Sequence, residues 1–171
     1  SWSKNEIKAY WINAYNAFTL KLMLNNYPVK SITDIKYGDK NAWDYTWINI
    51  GGEKLSLNDI EHKKLRAKYK DARIHFAVNC ASYSCPILLN TAYTAKNLET
   101  QLNAQAKKFI NDSSRNKISA DKVQISEIFK WYKDDFTTSG SIIDYLNKYS
   151  TVKIKSTASV TYLNYNWNIN E

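Results

Sequence analysis

Apolar residues recur at helical spacing from the start of the chain. Ile7, Trp11, Ala14, Tyr15, Phe18 and Leu22 fall on one stripe of a helix over residues 5–26. Ala9, Ala17, Leu20 and Leu24 fall on the opposite side, a pattern that predicts a buried central helix. Asn13 and Asn16, three apart on that second face, are polar groups that burial obliges to find partners, by bracing backbone or by pointing into a site. Tyr27-Pro28 ends the element, because the residue before a proline disfavours helical backbone.

Further along, strand-like runs around Gly51-Gly52 predict a hairpin of residues 44–50 with 54–57. Asn58 reads as the cap of a helix carrying Ile60, Leu65 and Tyr69, with Glu61 as its capping-box partner. Residues 73–79 read as a buried strand that runs into a loop over 80–86. An amphipathic helix is expected over 95–111, a short β pair over 117–125, and a helix from a Ser126 cap through Phe136. Residues 142–149 read as one more helix and 160–167 as a final strand. Helices outnumber strands, and the strands come as separate hairpins rather than a βαβ series. The expected class is therefore α+β: a single compact domain over residues 1–171, with a buried central N-terminal helix, a small antiparallel sheet or hairpins, and several packing helices.

Composition narrows this further. A chain of 171 residues fits one domain at ~150 residues per domain. Aromatic residues make up 14%, more than a small core needs, so some are expected to line a cleft. No apolar run approaches the ~20 residues of a transmembrane segment. Twenty-four Lys+Arg against 16 Asp+Glu give a net charge of +8, which admits anionic partners. The basic residues are scattered, as in Lys63-Lys64, Lys68, Lys70 and Lys107-Lys108, so no specific nucleic-acid site is expected. The opening Ser1-Trp2-Ser3-Lys4, without Met or a signal peptide, reads as the start of a cut or mature fragment.

The chemistry concentrates in one stretch. Both His and both Cys (His62, His75, Cys80 and Cys85) fall within one short window, a clustering that chance gives roughly once in a hundred, so candidate sites are sought there first. A nucleophilic thiol needs a base, and the base needs an orienting acceptor. Cys80, at a strand end, is the candidate nucleophile; His62 or His75 can be its base, and Glu61, Asp59 or an Asn can orient that base, the arrangement carried forward being His62 with Glu61 and His75 as the alternative base. A helix packed antiparallel on the following strand would bring Glu61, His62 and Cys80 into one cleft. Each has a plainer reading: Glu61 as a cap, His75 as a core histidine, Cys80 and Cys85 as apolar fillers or a loop disulfide. The spacing 62, 75, 80, 85 follows no familiar zinc pattern, and no Walker loop, Rossmann glycine pattern, G-x-S-x-G or H-E-x-x-H is present. No metal and no cofactor is expected.

Three segments carry a resemblance: Trp11-Ile-Asn13-Ala-Tyr15-Asn16-Ala17, Ser56 through Arg66 around Glu61-His62, and Arg73-Ile-His75-Phe76 through Cys80 to Pro86. With Ile128–Phe136 and Leu163–Asn170 they are similar to domain-of-unknown-function family 547, found in bacteria and, fused to other modules, in plants. The resemblance implies Cys80 as nucleophile and Cys85 as dispensable. It also marks two departures: the family's usual Gly after the cysteine is Ala81 here, and the Asp of a closing Tyr-Asp-Trp is Asn166. A distant similarity to papain-like or transglutaminase-like cysteine hydrolases is implied as analogy.

The functional expectation is a cysteine-dependent hydrolase or acyl transferase acting on amide- or thioester-type bonds of a peptide or small-molecule substrate. Asn13 or Asn16 would bind substrate, by donating to an oxyanion, or orient the imidazole. The alternative is a non-catalytic binding module whose basic, aromatic-rich cleft holds an anionic peptide, glycan or lipid headgroup. Compartment and oligomeric state are not legible, with a bacterial cell-envelope, periplasmic or secreted location the expectation carried forward.

Overall fold

In the computed structural model, residues 1–170 are described. The first helix, α1 (Lys4–Asn26), begins at a capping box: the Ser3 hydroxyl accepts from the Glu6 N–H while the Glu6 carboxylate accepts from the Ser3 N–H. Its buried face is Lys8, Ala9, Ile12, Tyr15, Asn16, Thr19, Leu22 and Met23. Leu20 and Leu24, assigned by the pattern to a second buried side, are 48% and 77% exposed. Ala and Leu are good helix formers on any face, so apolar content there reports propensity as much as burial.

Two antiparallel hairpins follow, β1 (Lys36–Tyr37) with β2 (Lys40–Asn41) and β3 (Ile48–Ile50) with β4 (Glu53–Leu55). Gly51 and Gly52 both sit at positive φ, the backbone that a tight two-residue hairpin turn demands. The next helix is capped by Ser56 rather than Asn58: the Ser56 hydroxyl accepts from the Asp59 N–H, and the Asp59 carboxylate accepts from the Ser56 N–H and hydroxyl. Asn58 is already helical and donates to Asp44 instead. Glu61 is thereby freed from the helix end. The turns over Asp59–Arg66 are π-helical and pass into the short α2 (Ala67–Tyr69), which ends at left-handed Lys70.

Residues 73–79 do not form the expected strand. A 3-10 helix covers Ala72–Phe76, started by the Asp71 carboxylate accepting from the Arg73 N–H. A short apolar run fits a buried helical turn as well as a buried strand, and periodicity alone does not separate them. Beyond it lie α3 (Leu98–Ile110), β5 (Lys117–Ile118), β6 (Lys122–Ser126), α4 (Ile128–Trp131), α5 (Lys133–Phe136), α6 (Ile142–Asn147) and β7 (Ser159–Leu163). The single helix expected through Phe136 is thus two short ones. β5 and β6 pair antiparallel as expected, whereas β7 joins β6 in parallel, with α4 to α6 supplying the crossover that parallel pairing needs.

The class is α+β. Two apolar clusters fill the domain: one gathers Ile12, Tyr15, Leu22, Leu57, Leu65 and Ile74, the other Phe76, Phe109, Phe129, Phe136 and Leu146. The segment after β7 returns across them, with Asn168 bridged to Ser31 and Ile169 to Ser82. No helix among the described residues is long and apolar enough to cross a membrane.

Candidate active site

A cavity of about 240 Å³ opens where the two clusters meet. Tyr15 and Val78 line it from the first cluster, Ile128 and Tyr132 from the second, and Cys80, Cys85, Glu61 and His75 share its lining.

The cysteine loop is built by carboxamides. Asn16 Nδ2 donates to Ala77 O at 2.9 Å and its Oδ1 accepts from the Asn79 N–H at 2.8 Å. Asn79 in turn accepts from the Ala81 N–H at 2.8 Å and donates to Pro86 O at 2.7 Å. Ala81 is held at φ 60, in the left-handed region. The Cys85 N–H donates to Ser82 O, which folds the loop back so that the second thiol lies against the first. The C-terminal segment straps the outside: the Tyr83 N–H donates to Asn168 O and the Asn170 N–H to Ala81 O. Asn16 thus spends both polar atoms on backbone. Asn13 does the same with Tyr93, donating to its carbonyl at 2.8 Å and accepting from its N–H at 2.9 Å, and it does not line the cavity. Both residues expected at the substrate brace loops in this structure.

The Cys80 sulfur is 3.0 Å from Cys85 Sγ, 3.1 Å from Ser82 Oγ and 3.3 Å from the Tyr165 hydroxyl. The Cys85 thiol, opposed by burial and helped by Ser82 and Tyr165, brings the Cys80 thiol down to about 7. Burial, then contact with Cys80, pushes the Cys85 thiol up. Burial and the two sulfurs push the Tyr165 phenol up, so it remains a donor. Both cysteines are free, so the loop-disulfide reading does not describe this state.

His75, not His62, faces the thiol's cavity. His75 Nε2 lies 2.6 Å from Asp135 Oδ2 and its Nδ1 lies 3.9 Å from Glu61 Oε1. Its ring stacks on Tyr132 at 3.8 Å between centroids. The Asp135 carboxyl is held far below the usual carboxylate range, first by His75 and then by Arg66 against a burial cost. His62 points into a separate hollow with Arg66, Lys70 and Asp135, its Nδ1 3.0 Å from Arg66 Nη1. Neighbouring helical residues point in different directions, so turning Glu61 inward turns His62 away. The two histidines are linked through Arg66 and Asp135, at 2.6 Å between Arg66 Nε and Asp135 Oδ2. Neither imidazole is a hydrogen-bond partner of the Cys80 sulfur.

Aromatic rings build one wall. Trp131, Tyr165 and Trp167 pack with centroids 4.5–5.6 Å apart, and Trp43 meets Trp167 edge-on at 5.7 Å. Among the described residues, the lining side chains include no Lys or Arg. Tyr132, Asp135 and Tyr165 were not among the sequence candidates. All three lie in the resembling segments 128–136 and 163–170, which was the signal available for them.

A family model described as "Protein of unknown function, DUF547" matches residues 1–110, a span that holds Glu61, His75 and Cys80 but not Tyr132, Asp135 or Tyr165. No curated protein and no solved structure matches the chain.

Proposed function

This chain belongs to the DUF547 family, and from the cleft around Cys80 we propose cysteine-dependent acyl transfer or hydrolysis of amide- or thioester-type bonds. The observation that carries the reading is the setting of the Cys80 sulfur: it lines a cavity, three hydrogen-bonding groups surround it, and its thiol is brought to about 7. Hydrogen bonds that lower the thiol's pKa favour the thiolate, the form that attacks a carbonyl carbon.

His75 is the base and acid. Its Nε2–H donates to the Asp135 carboxylate, which leaves Nδ1 free to take a proton, and Glu61 beside Nδ1 stabilises the resulting imidazolium. His75 Nδ1 takes up and returns the proton across the cavity that it shares with the sulfur. The Tyr165 hydroxyl, next to the sulfur, donates to the oxyanion that forms when the thiolate adds. Collapse expels the amine or thiol leaving group with the proton from His75. Water or an amine then resolves the acyl-enzyme. The aromatic wall favours a neutral or apolar group beside the scissile bond.

The test is intact-mass spectrometry after incubation with a small acyl thioester. An acyl adduct that maps to Cys80 and is missing in Cys80→Ser supports the reading. Absence of any adduct, with Cys80 still open to iodoacetamide, overturns it.

A further inference from the structure

We propose that Cys80 and Cys85 form a peroxide-reactive dithiol site: a hydroperoxide oxidises Cys80, and Cys85 closes a reversible disulfide that switches the nucleophile off. The switching half of the proposal rests on the reading of Cys80 as the attacking thiol.

Geometry carries it. The two sulfurs are 3.0 Å apart, and a disulfide bond of ~2.05 Å needs only about 1 Å of further approach. The approach is already organised. The Cys85 N–H donates to Ser82 O in a turn, and the Cys80 N–H donates to Cys85 Sγ at 2.9 Å. The two thiols also differ in access: Cys80 is half-buried at the cavity, while Cys85 is 3% exposed. An oxidant entering the cavity therefore meets Cys80 with Cys85 already in contact behind it. A redox-responsive thiol needs both thiolate character with access and a neighbouring resolving thiol.

The steps balance. The Cys80 thiolate attacks one oxygen of hydrogen peroxide; the O–O bond breaks, hydroxide leaves, and Cys80 becomes a sulfenic acid. The Cys85 sulfur attacks the Cys80 sulfur, and the sulfenic hydroxyl leaves with the Cys85 proton as water. Peroxide has gained the two electrons that the two thiols have lost. A dithiol reductant reverses the closure by exchange, becoming a disulfide itself.

The full chain is treated with hydrogen peroxide near neutral pH and followed by intact-mass spectrometry with iodoacetamide counting. The expected product has lost two hydrogens, takes up no iodoacetamide, and recovers both thiols in dithiothreitol. In Cys85→Ser the two-hydrogen loss should vanish and a dimedone adduct should appear on Cys80. Wild-type protein that keeps its mass, or gains two oxygens on Cys80 with Cys85 still alkylated after unfolding, overturns the proposal. The acyl-adduct assay on reduced protein separates the two readings. An adduct without the two-hydrogen loss removes the dithiol site alone; the loss without an adduct removes acyl transfer, and with it the switching role.

Discussion

Asp135 holds His75 and Arg66 on one carboxylate oxygen, with both nitrogens at 2.6 Å. That oxygen orients the imidazole in the cleft while Arg66 reaches across to His62. An anion in this position keeps Nε2 protonated and directs Nδ1 toward Glu61, so its value lies in the charge as well as the hydrogen bond. Asp135→Asn should lower acyl-transfer turnover by about 10²-fold or more. The pH midpoint of Cys80 alkylation should stay near 7, because no imidazole contacts the sulfur. Turnover unchanged in a folded Asp135→Asn protein would remove His75 from the mechanism.

The thiol's acidity should respond to a different residue. The Tyr165 hydroxyl bonds both Cys80 Sγ and, at 2.8 Å, Ser82 Oγ. Tyr165→Phe keeps the ring packed against Trp131 and Trp167 while withdrawing a donor from the thiolate. Losing a stabiliser of the charged form raises a thiol pKa. The midpoint should move upward from about 7 by about one unit, which corresponds to ~1.4 kcal/mol. Iodoacetamide rates between pH 6 and 9 read it directly, and an unmoved midpoint would assign the low value to Cys85 and Ser82 alone.

What the sequence could and could not reveal divides along physical lines. α1, the hairpin at Gly51-Gly52 and the β5–β6 pair were legible because local period and turn chemistry determine them. The 3-10 helix over Ala72–Phe76 was not, since a short buried run carries no period that excludes a strand. Cys80 and His75 stood out through the rarity of Cys and His, a property of composition, and Glu61 through its place beside His62 in the capping pattern. Choosing between His62 and His75 required knowing where the helix is capped. Moving the cap from Asn58 to Ser56, together with the π turns that follow, goes with an inward Glu61 and an outward His62. Tyr165 and Asp135 reach the site from 85 and 60 residues away from their partners, and no local pattern encodes that packing.

Ala81 occupies a backbone position that suits glycine. At φ 60 an L residue meets its own carbonyl oxygen, at a cost of roughly 1–2 kcal/mol. Glycine removes that cost but adds chain entropy to the unfolded state, roughly 0.5–1 kcal/mol. Ala81→Gly should therefore stabilise by about 0.5–1 kcal/mol, and Ala81→Val should destabilise by more than that. Urea midpoints measure both. The direction agrees with the resemblance, in which glycine is usual after the cysteine. A destabilised Ala81→Gly would mean that the buried methyl's packing outweighs the strain.

Asp71, which does not line the cleft, ties α1 to the 3-10 helix and should set an acid limit on stability. Its carboxylate takes the buried Lys8 ammonium and the Arg73 guanidinium. Burial alone would raise its pKa, but Arg73 and Lys8 overcome burial and bring it from 3.8 to about 2. The folded value lies below the unfolded one, so the unfolded chain takes up the proton first as pH falls. The stabilisation is complete above about pH 4 and disappears as pH drops through about 2. A shift of this size is worth about 2–2.5 kcal/mol in all, with about 1 kcal/mol of it gone by pH 3. Wild-type urea stability should fall between pH 5 and pH 3 by at least that 1 kcal/mol. Asp71→Asn should be less stable at pH 5, where it leaves Lys8 buried without its anion, and its stability should fall less steeply toward pH 3. Equal slopes in the two proteins would show that Asp71 titrates alike in the folded and unfolded chains, and the acid sensitivity would then belong to Asp135, whose carboxyl His75 and Arg66 hold lower still.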